Sequence, residues 1–143
     1  MNLNVLVVDD SSVMRAMIGK TLRLSRIPLE GVHEAGNGSE GLAILGERQI
    51  DLALVDLNMP VMNGEEMIQR MRQDPRTATI PVIVVSTEGS FKRISLLRKQ
   101  GAEFVHKPFT PESLREAVAD MIGVCDDDDD AGEGAVQGGG PDF

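Results

Sequence analysis

A doubly wound α/β domain, one parallel sheet covered by helices on both faces, is the fold this sequence predicts. Three observations carry it. Short runs rich in Val, Ile and Leu alternate five times with segments whose apolar residues recur at helical spacing. The connections between them are short, as βα units require. Runs such as "VLVV" and "IPVIVVS" are apolar without alternation, the pattern of strands buried on both faces. A chain of 143 residues, 41% hydrophobic and 26% charged, is one domain's worth and can bury such a core.

The first strand is "VLVV", Val5 to Val8. Ser11 and Ser12 follow as good N-caps, and Val13, Met14, Met17, Ile18 and Leu22 then mark one face of the first helix. "EGVHEA", Glu30 to Ala35, is more polar and suits an edge strand. "GNGSEGLAILGE" turns into a short second helix with Ser39 as its expected cap. "DLALVD", Asp51 to Asp56, is the third strand, and "EEMIQRMRQD" is the third helix, with Met67, Ile68 and Met71 on one face. The fourth strand, Ile80 to Ser86, is the richest in β-branched residues. "SFKRISLLRKQG" is a helix with basic residues near its end and Gly101 as its stop. "EFVHK" is the fifth strand, and "TPESLREAVADMI" opens the fifth helix with a Thr cap and Pro at the first position.

The net charge of -9 is unevenly spread. Residues 1–125 hold 16 acids and 14 bases, whereas the seven acids from Asp126 onward meet no base. "DDDDDAGEGAVQGGGPDF" has too little apolar surface to offset its ordering entropy. Residues 124–143 are therefore expected to be a disordered, solubilising tail behind a folded domain at 1–123. No basic patch suggests a nucleic acid partner, and no run approaches the length of a membrane span. One cysteine, Cys125, cannot close an internal disulfide, and Met1 leads almost directly into the first strand. The expectation is a cytoplasmic, monomeric protein.

Polar residues at the strand ends carry the chemistry. In a doubly wound sheet, ligands sit beyond the carboxyl ends of the strands, where strand order reverses. Strand one runs into Asp9 and Asp10, strand three into Asp56, strand four into Ser86 and strand five into Lys107. Adjacent like charges at the mouth of a core are costly unless a positive charge offsets them. Lys107 offsets only one of three carboxylates, so a divalent cation would close the balance, and oxygen ligands favour Mg2+ or Mn2+. Phosphoryl transfer is chiefly positioning and charge neutralisation, and an ionised carboxylate needs no general base to attack phosphorus. Asp56, apart from the Asp9–Asp10 pair in sequence, is the natural nucleophile, and that pair is the natural metal grip.

"VVDDS", "DLNMPVMNG", "VVST" and "KPF", in this order and spacing, resemble the response-regulator receiver domain over residues 1–123. "VVDDSSVMRAMIGKTLR" and "STEGSFKR" look most like its stand-alone, CheY-like chemotaxis type. The resemblance implies the flavodoxin-like strand order 2-1-3-4-5 with five helices. It implies that Asp56 accepts a phosphoryl group from the phosphohistidine of a sensor kinase. Asp10 and Asp56 would ligate Mg2+ directly, Asp9 through water and Asn58 through its backbone carbonyl. Lys107 would hold a phosphoryl oxygen, ahead of a Pro108 that the family often keeps cis. Ser86 would bond the phosphoryl group and draw its loop inward, and Phe104 would follow as a buried switch aromatic. The family often carries Tyr there; Phe lacks the hydroxyl, so packing alone would carry the signal. Asn58 and Glu88 match the pair such receivers place around the attacking water. With no second domain in the sequence, output would be a protein contact through the fourth helix, fifth strand and fifth helix. The target would be a downstream protein, a flagellar motor switch among the candidates.

Plainer readings stand beside these. Asp9 and Asp10 alone would read as a capping, solvated pair, Ser86 as a loop cap, Phe104 as core and Lys107 as an exposed lysine. His33 and His106 have no partners at metal spacing and read as structural, and the methionines as core filler. Within signalling, the rival is a phosphorelay carrier that passes its phosphate to another histidine. Among enzymes it is a phosphohydrolase of the haloacid-dehalogenase type. That type wants its nucleophile in a D-x-D motif ending strand one, where this chain has adjacent acids. The expectation is a signalling protein that catalyses only its own phosphorylation and dephosphorylation.

Overall fold

The computed structural model describes residues 2–87 and 90–122. Ten elements alternate without exception: β1 Leu3–Val8, α1 Ser12–Leu24, β2 Leu29–Ala35, α2 Gly38–Glu47, β3 Leu52–Val55, α3 Gly64–Gln73, β4 Val82–Ser86, α4 Phe91–Lys99, β5 Ala102–His106 and α5 Pro111–Ile122. The strands form one parallel sheet in the order β2-β1-β3-β4-β5. The chain steps from β1 outward to β2, then crosses back over β1 to β3. Strand order therefore reverses between β1 and β3, and a crevice opens above their carboxyl ends.

Strand alternation divides the core into two layers. Leu6 and Val8 of β1 join Ala53, Val55, Val82 and Val84 under Met67, Ile68 and Met71 of α3 and Leu97 of α4. Val5 and Val7 face the other way, with Leu52, Leu54, Ile83 and Val85, under Ile18 and Leu22 of α1 and Leu114 and Val118 of α5. Both faces of the central strands are covered, which is why these runs lack polar alternation. The edge strand β2 has mostly half-buried and exposed residues, as its polar sequence required.

Local chemistry sets the helix starts. Ser11 caps α1 by accepting the Met14 N–H, and Asn63 caps α3 by accepting that of Glu66. Thr110, just ahead of Pro111, exchanges bonds with Ser113 in the first turn of α5. The second helix departs from expectation: its cap is Asn37, which accepts the Glu40 N–H, and Ser39 lies inside the first turn. The strands also stop short of the sequence reading. Asp56 and Lys107 lie one residue past the last ladder positions, where the chain turns out of the sheet. Met67 and Met71 are core, as read, but Met17 is 52% exposed. Among the described residues no helix is long and apolar enough to cross a membrane. Residues 123–143, the acidic tail with Cys125, lie outside the described residues, as does Glu88.

Candidate functional site

Sheet register alone brings the acids together. Val8 pairs with Val55 across β1 and β3, so the next residues, Asp9 and Asp56, emerge side by side at the switch point. The Asp56 N–H donates to the Val8 carbonyl (2.9 Å), and the Asp9 N–H to that of Ala35 (3.1 Å). Asp10 follows at the mouth. Carboxylate oxygens of Asp9, Asp10 and Asp56 lie within 4.8 Å of one another. Asp9 and Asp56 are buried, whereas Asp10 is exposed.

Lys107 reaches the cluster from the end of β5, two strands from β3 and three from β1. Its backbone N–H donates to the Ser86 carbonyl (2.9 Å), continuing the β4–β5 ladder by one step. The Nζ atom lies 3.2 Å from Asp9 Oδ2 and 3.9 Å from Asp56 Oδ1, so the ammonium is paired chiefly with Asp9. Asp9 Oδ1 accepts the Ser11 N–H at 2.9 Å, which commits both of its oxygens. The Lys107–Pro108 peptide is cis.

Burial pushes the Asp56 carboxyl above its ordinary range, and the neighbouring charges of Asp9 and Asp10 push it the same way. The Lys107 ammonium and the Leu57 N–H pull it back, without cancelling the rise. The cluster is thus short of positive charge, with oxygen donors at the spacing a small divalent cation bridges. The donor set fits Mg2+, a hard cation that takes carboxylate and carbonyl oxygens.

The remaining candidates sit around this centre. Ser86 is fully buried at the end of β4, and Asn58 is exposed, two residues past Asp56. Val8, Val55, Val84 and Phe104 form one row across the sheet. Phe104 therefore shares its face with Val84 and Ser86, the face on which α4 packs. Sequence reading made it a buried aromatic; it is half-buried, packed on the α3–α4 layer of the core. Its other side lines a surface groove of about 470 Å³ with Arg98, His106, Glu116 and Asp120. The ring leaves the core because β5 is an edge strand that a single short helix covers only partly. His106 is exposed and tilted against Phe104, and His33 Nε2 lies 3.4 Å from Asn4 Oδ1. Neither histidine approaches the acids.

Three features escaped sequence reading. Arg15, in the second turn of α1, donates from Nη1 to the Asp9 carbonyl (2.6 Å) and from Nε to Glu34 Oε1 (2.9 Å). Glu65 and Arg93 pair through two bonds of 2.6 and 3.1 Å, tying the first turn of α3 to that of α4. Gly64 is required because any Cβ there would collide with the Asp56 carbonyl. Only the glycine left a trace, in the turn-like "LNMPVMNG". The arginines pair with residues 19 and 28 positions away, and no local pattern records such pairs.

Comparison with known proteins agrees with this architecture. The family model of the response regulator receiver domain matches residues 5–119. A chemotaxis protein CheY homolog of Campylobacter jejuni is 36% identical over 137 residues, spanning 94% of this chain and all of the relative. Chemotaxis protein CheY1 of Helicobacter pylori is 38% identical over 126 residues, 87% of this chain and all of that one. Among solved structures, Vibrio cholerae chemotaxis protein CheY4 superposes with a TM-score of 0.76 at 31% identity, covering 85% of this chain and all of that one.

Proposed function

This chain belongs to the response regulator receiver domain family, and on that premise we propose that it is a phosphorylation-controlled switch of a two-component, chemotaxis-type pathway. The phosphoacceptor in this reading is Asp56, the phosphodonor is a phosphohistidine on a sensor kinase, and the output is a protein contact. The observation that carries it is the cluster of Asp9, Asp10 and Asp56 carboxylates, with the Lys107 ammonium beside Asp9 and Asp56.

Asp9 and Asp56 each lie one residue past a central strand, but both Asp9 oxygens are engaged, by the Ser11 N–H and by Lys107, so Asp56 would be the one to meet an incoming phosphorus. Its carboxylate oxygen would form the new P–O bond as the P–N bond of the phosphohistidine breaks, and the departing imidazole takes up a proton. Lys107 would turn from Asp9 toward an oxygen of the new acyl phosphate. The fully buried Ser86 would give that group a hydroxyl donor. Asp10 and Asp56, with the Asn58 carbonyl, would hold Mg2+. Asp9, both of whose oxygens are engaged, would act through water. The metal supplies charge neutralisation for the transferring group. Asn58 and Glu88 would govern the water that later hydrolyses the acyl phosphate.

Phe104 would carry the change outward. It shares a sheet face with Ser86 and borders the α4–β5–α5 groove, so a Ser86 loop drawn inward vacates space that the ring can enter. Such a groove suits a protein target. The folded unit in this reading is residues 1–123, with the acidic tail as a solubilising appendage. A haloacid-dehalogenase-type hydrolase is disfavoured because residue 58 is Asn, where a D-x-D motif would need its second acid.

Asp56→Asn should abolish the phosphoryl adduct that acetyl phosphate forms in Mg2+, with the fold intact. Intact-mass spectra read this directly, and an adduct formed on the variant at the wild-type rate would rule Asp56 out.

A further inference from the structure

We propose that Arg15 is a positioning residue for the metal-holding pair: its guanidinium fixes the peptide joining Asp9 to Asp10 and thereby sets where the Asp10 carboxylate points. The inference rests on the reading that Asp9, Asp10 and Asp56 hold Mg2+.

The Asp9 residue is held at every polar group. Its N–H goes to Ala35, its carboxylate oxygens to Ser11 and Lys107, and its carbonyl to Arg15. The bonds to Ala35 and Lys107 fix Asp9 itself, and the Ser11 N–H holds the peptide that follows Asp10. The bond to Arg15 fixes the plane of the peptide joining Asp9 to Asp10, and Asp10 hangs from that plane with an exposed side chain. Rotation of this plane would move the Asp10 carboxylate across the mouth of the site while leaving Asp9 in place.

Arg15 is well placed to prevent that rotation. Its backbone N–H is locked into α1 by the Ser11 carbonyl (2.9 Å), and its Nε is anchored on Glu34 of β2. The side chain is 18% exposed, and the bond to the Asp9 carbonyl is short at 2.6 Å. An exposed ion pair alone would do little, and Glu34 is 49% exposed. The difference lies in the second bond, which turns a surface pair into a brace between the edge strand and the β1–α1 turn.

Charge and positioning make opposite predictions. A cation beside a cation site repels Mg2+, so an Arg15 acting only through its charge would bind Mg2+ more tightly once removed. An Arg15 that aims Asp10 would bind it more weakly once removed. Outer partners of metal ligands are typically worth roughly 10- to 100-fold in affinity.

The test titrates Mg2+ alone, followed by amide NMR shifts, into the full-length wild type, Arg15→Met, Arg15→Lys, Glu34→Gln and Asp10→Asn, each melted without metal. Arg15→Met keeps the apolar stem and should weaken Mg2+ binding about tenfold. Arg15→Lys keeps the charge but loses the two-pronged grip, and should fall between Met and wild type. Glu34→Gln should cost less than either. Unchanged or tighter Mg2+ binding in Arg15→Met, with Asp10→Asn still weakened, would overturn the positioning role and leave the metal site standing. An Asp10→Asn that binds Mg2+ as wild type does would bring down the metal reading and this proposal with it. Should Arg15→Met melt too low to titrate, Arg15→Lys decides, and wild-type affinity in it overturns the proposal.

Discussion

At the β1–β3 end of the sheet, Asp9 and Asp56 follow directly on the paired ladder positions Val8 and Val55. Asp9 is bonded on all sides, and the Asp56 N–H is held by Val8. Beside them α3 buries Met67, Ile68 and Met71, and α2 packs against it. The β4–β5 end is looser. Of the described residues of α4, Leu97 is the buried one, while Phe91 is 82% and Leu96 50% exposed. That helix is tied across to α3 through Glu65 and Arg93, an ion pair with its side chains 37% and 30% exposed. An element with little buried apolar surface and a partly exposed tie moves at lower cost than a fully packed one. In the proposed reading the two halves do different work. A metal grip needs preorganised oxygens, and a switch needs an element with two accessible positions.

The largest effect should come from the rigid half. Asp10→Asn is expected to weaken Mg2+ binding by at least about 100-fold, because a charged ligand counts for more than an outer partner, itself worth roughly 10- to 100-fold. A chain ending at Cys125 should bind Mg2+ as the full chain does, since a run of aspartates has no fixed oxygen geometry. A Mg2+ response lost on truncation would place the site in the tail and dissolve the comparison.

Next is the looser half. Phe104→Ala should accept phosphate at a near-normal rate but lose about tenfold in the bias toward the activated surface. Burying a Phe side chain stabilises by about 1.5–3 kcal/mol, enough to shift a two-state element that far. Amide NMR in beryllofluoride and Mg2+ separates the two. Resonances around Asp10 and Asp56 should shift as in wild type while those of α4 and β5 move little. Failure to take up beryllofluoride would mean that Phe104 supports the site itself.

A smaller change should follow from Glu65→Gln. Breaking this partly exposed, two-bonded pair costs on the order of 1 kcal/mol, so the melting point should fall by only a few degrees. The same loss frees α4, and the activated population seen by NMR should rise by up to about fivefold. An unchanged population would show that the ion pair does not restrain the helix.

The smallest effect concerns pH. Burial and two neighbouring acids raise the Asp56 carboxyl, so the folded state holds that proton more tightly than the unfolded chain does. Stability contributed by this group is then present below the unfolded pKa and is lost as pH rises through the folded one. In metal-free buffer, Asp56→Asn should melt a few degrees above wild type at neutral pH. The gap should close as pH falls toward the ordinary carboxylate range. A gap that does not change with pH would mean that charge burial at Asp56 is not its source.

Sequence by itself determined the class of fold and the membership of the acid cluster, because both are written in short-range patterns. Uninterrupted Val and Ile runs dictate strands covered on both faces, and a residue that ends such a run must stand at the sheet's carboxyl edge. Asp9, Asp10, Asp56, Ser86 and Lys107 were legible on that ground. Capping was legible at Thr110 and missed at α2, where Ser39 was the expected cap and backbone geometry chose Asn37. What only the tertiary structure decided depends on pairs far apart in the chain. Val8 and Val55 had to fall in register for Asp9 and Asp56 to meet. Arg15 had to find Glu34, and Arg93 had to find Glu65. The half-exposure of Phe104 depends on how far α4 covers β5. Such contacts follow from crossing geometry and packing, and periodicity within one segment carries no record of them.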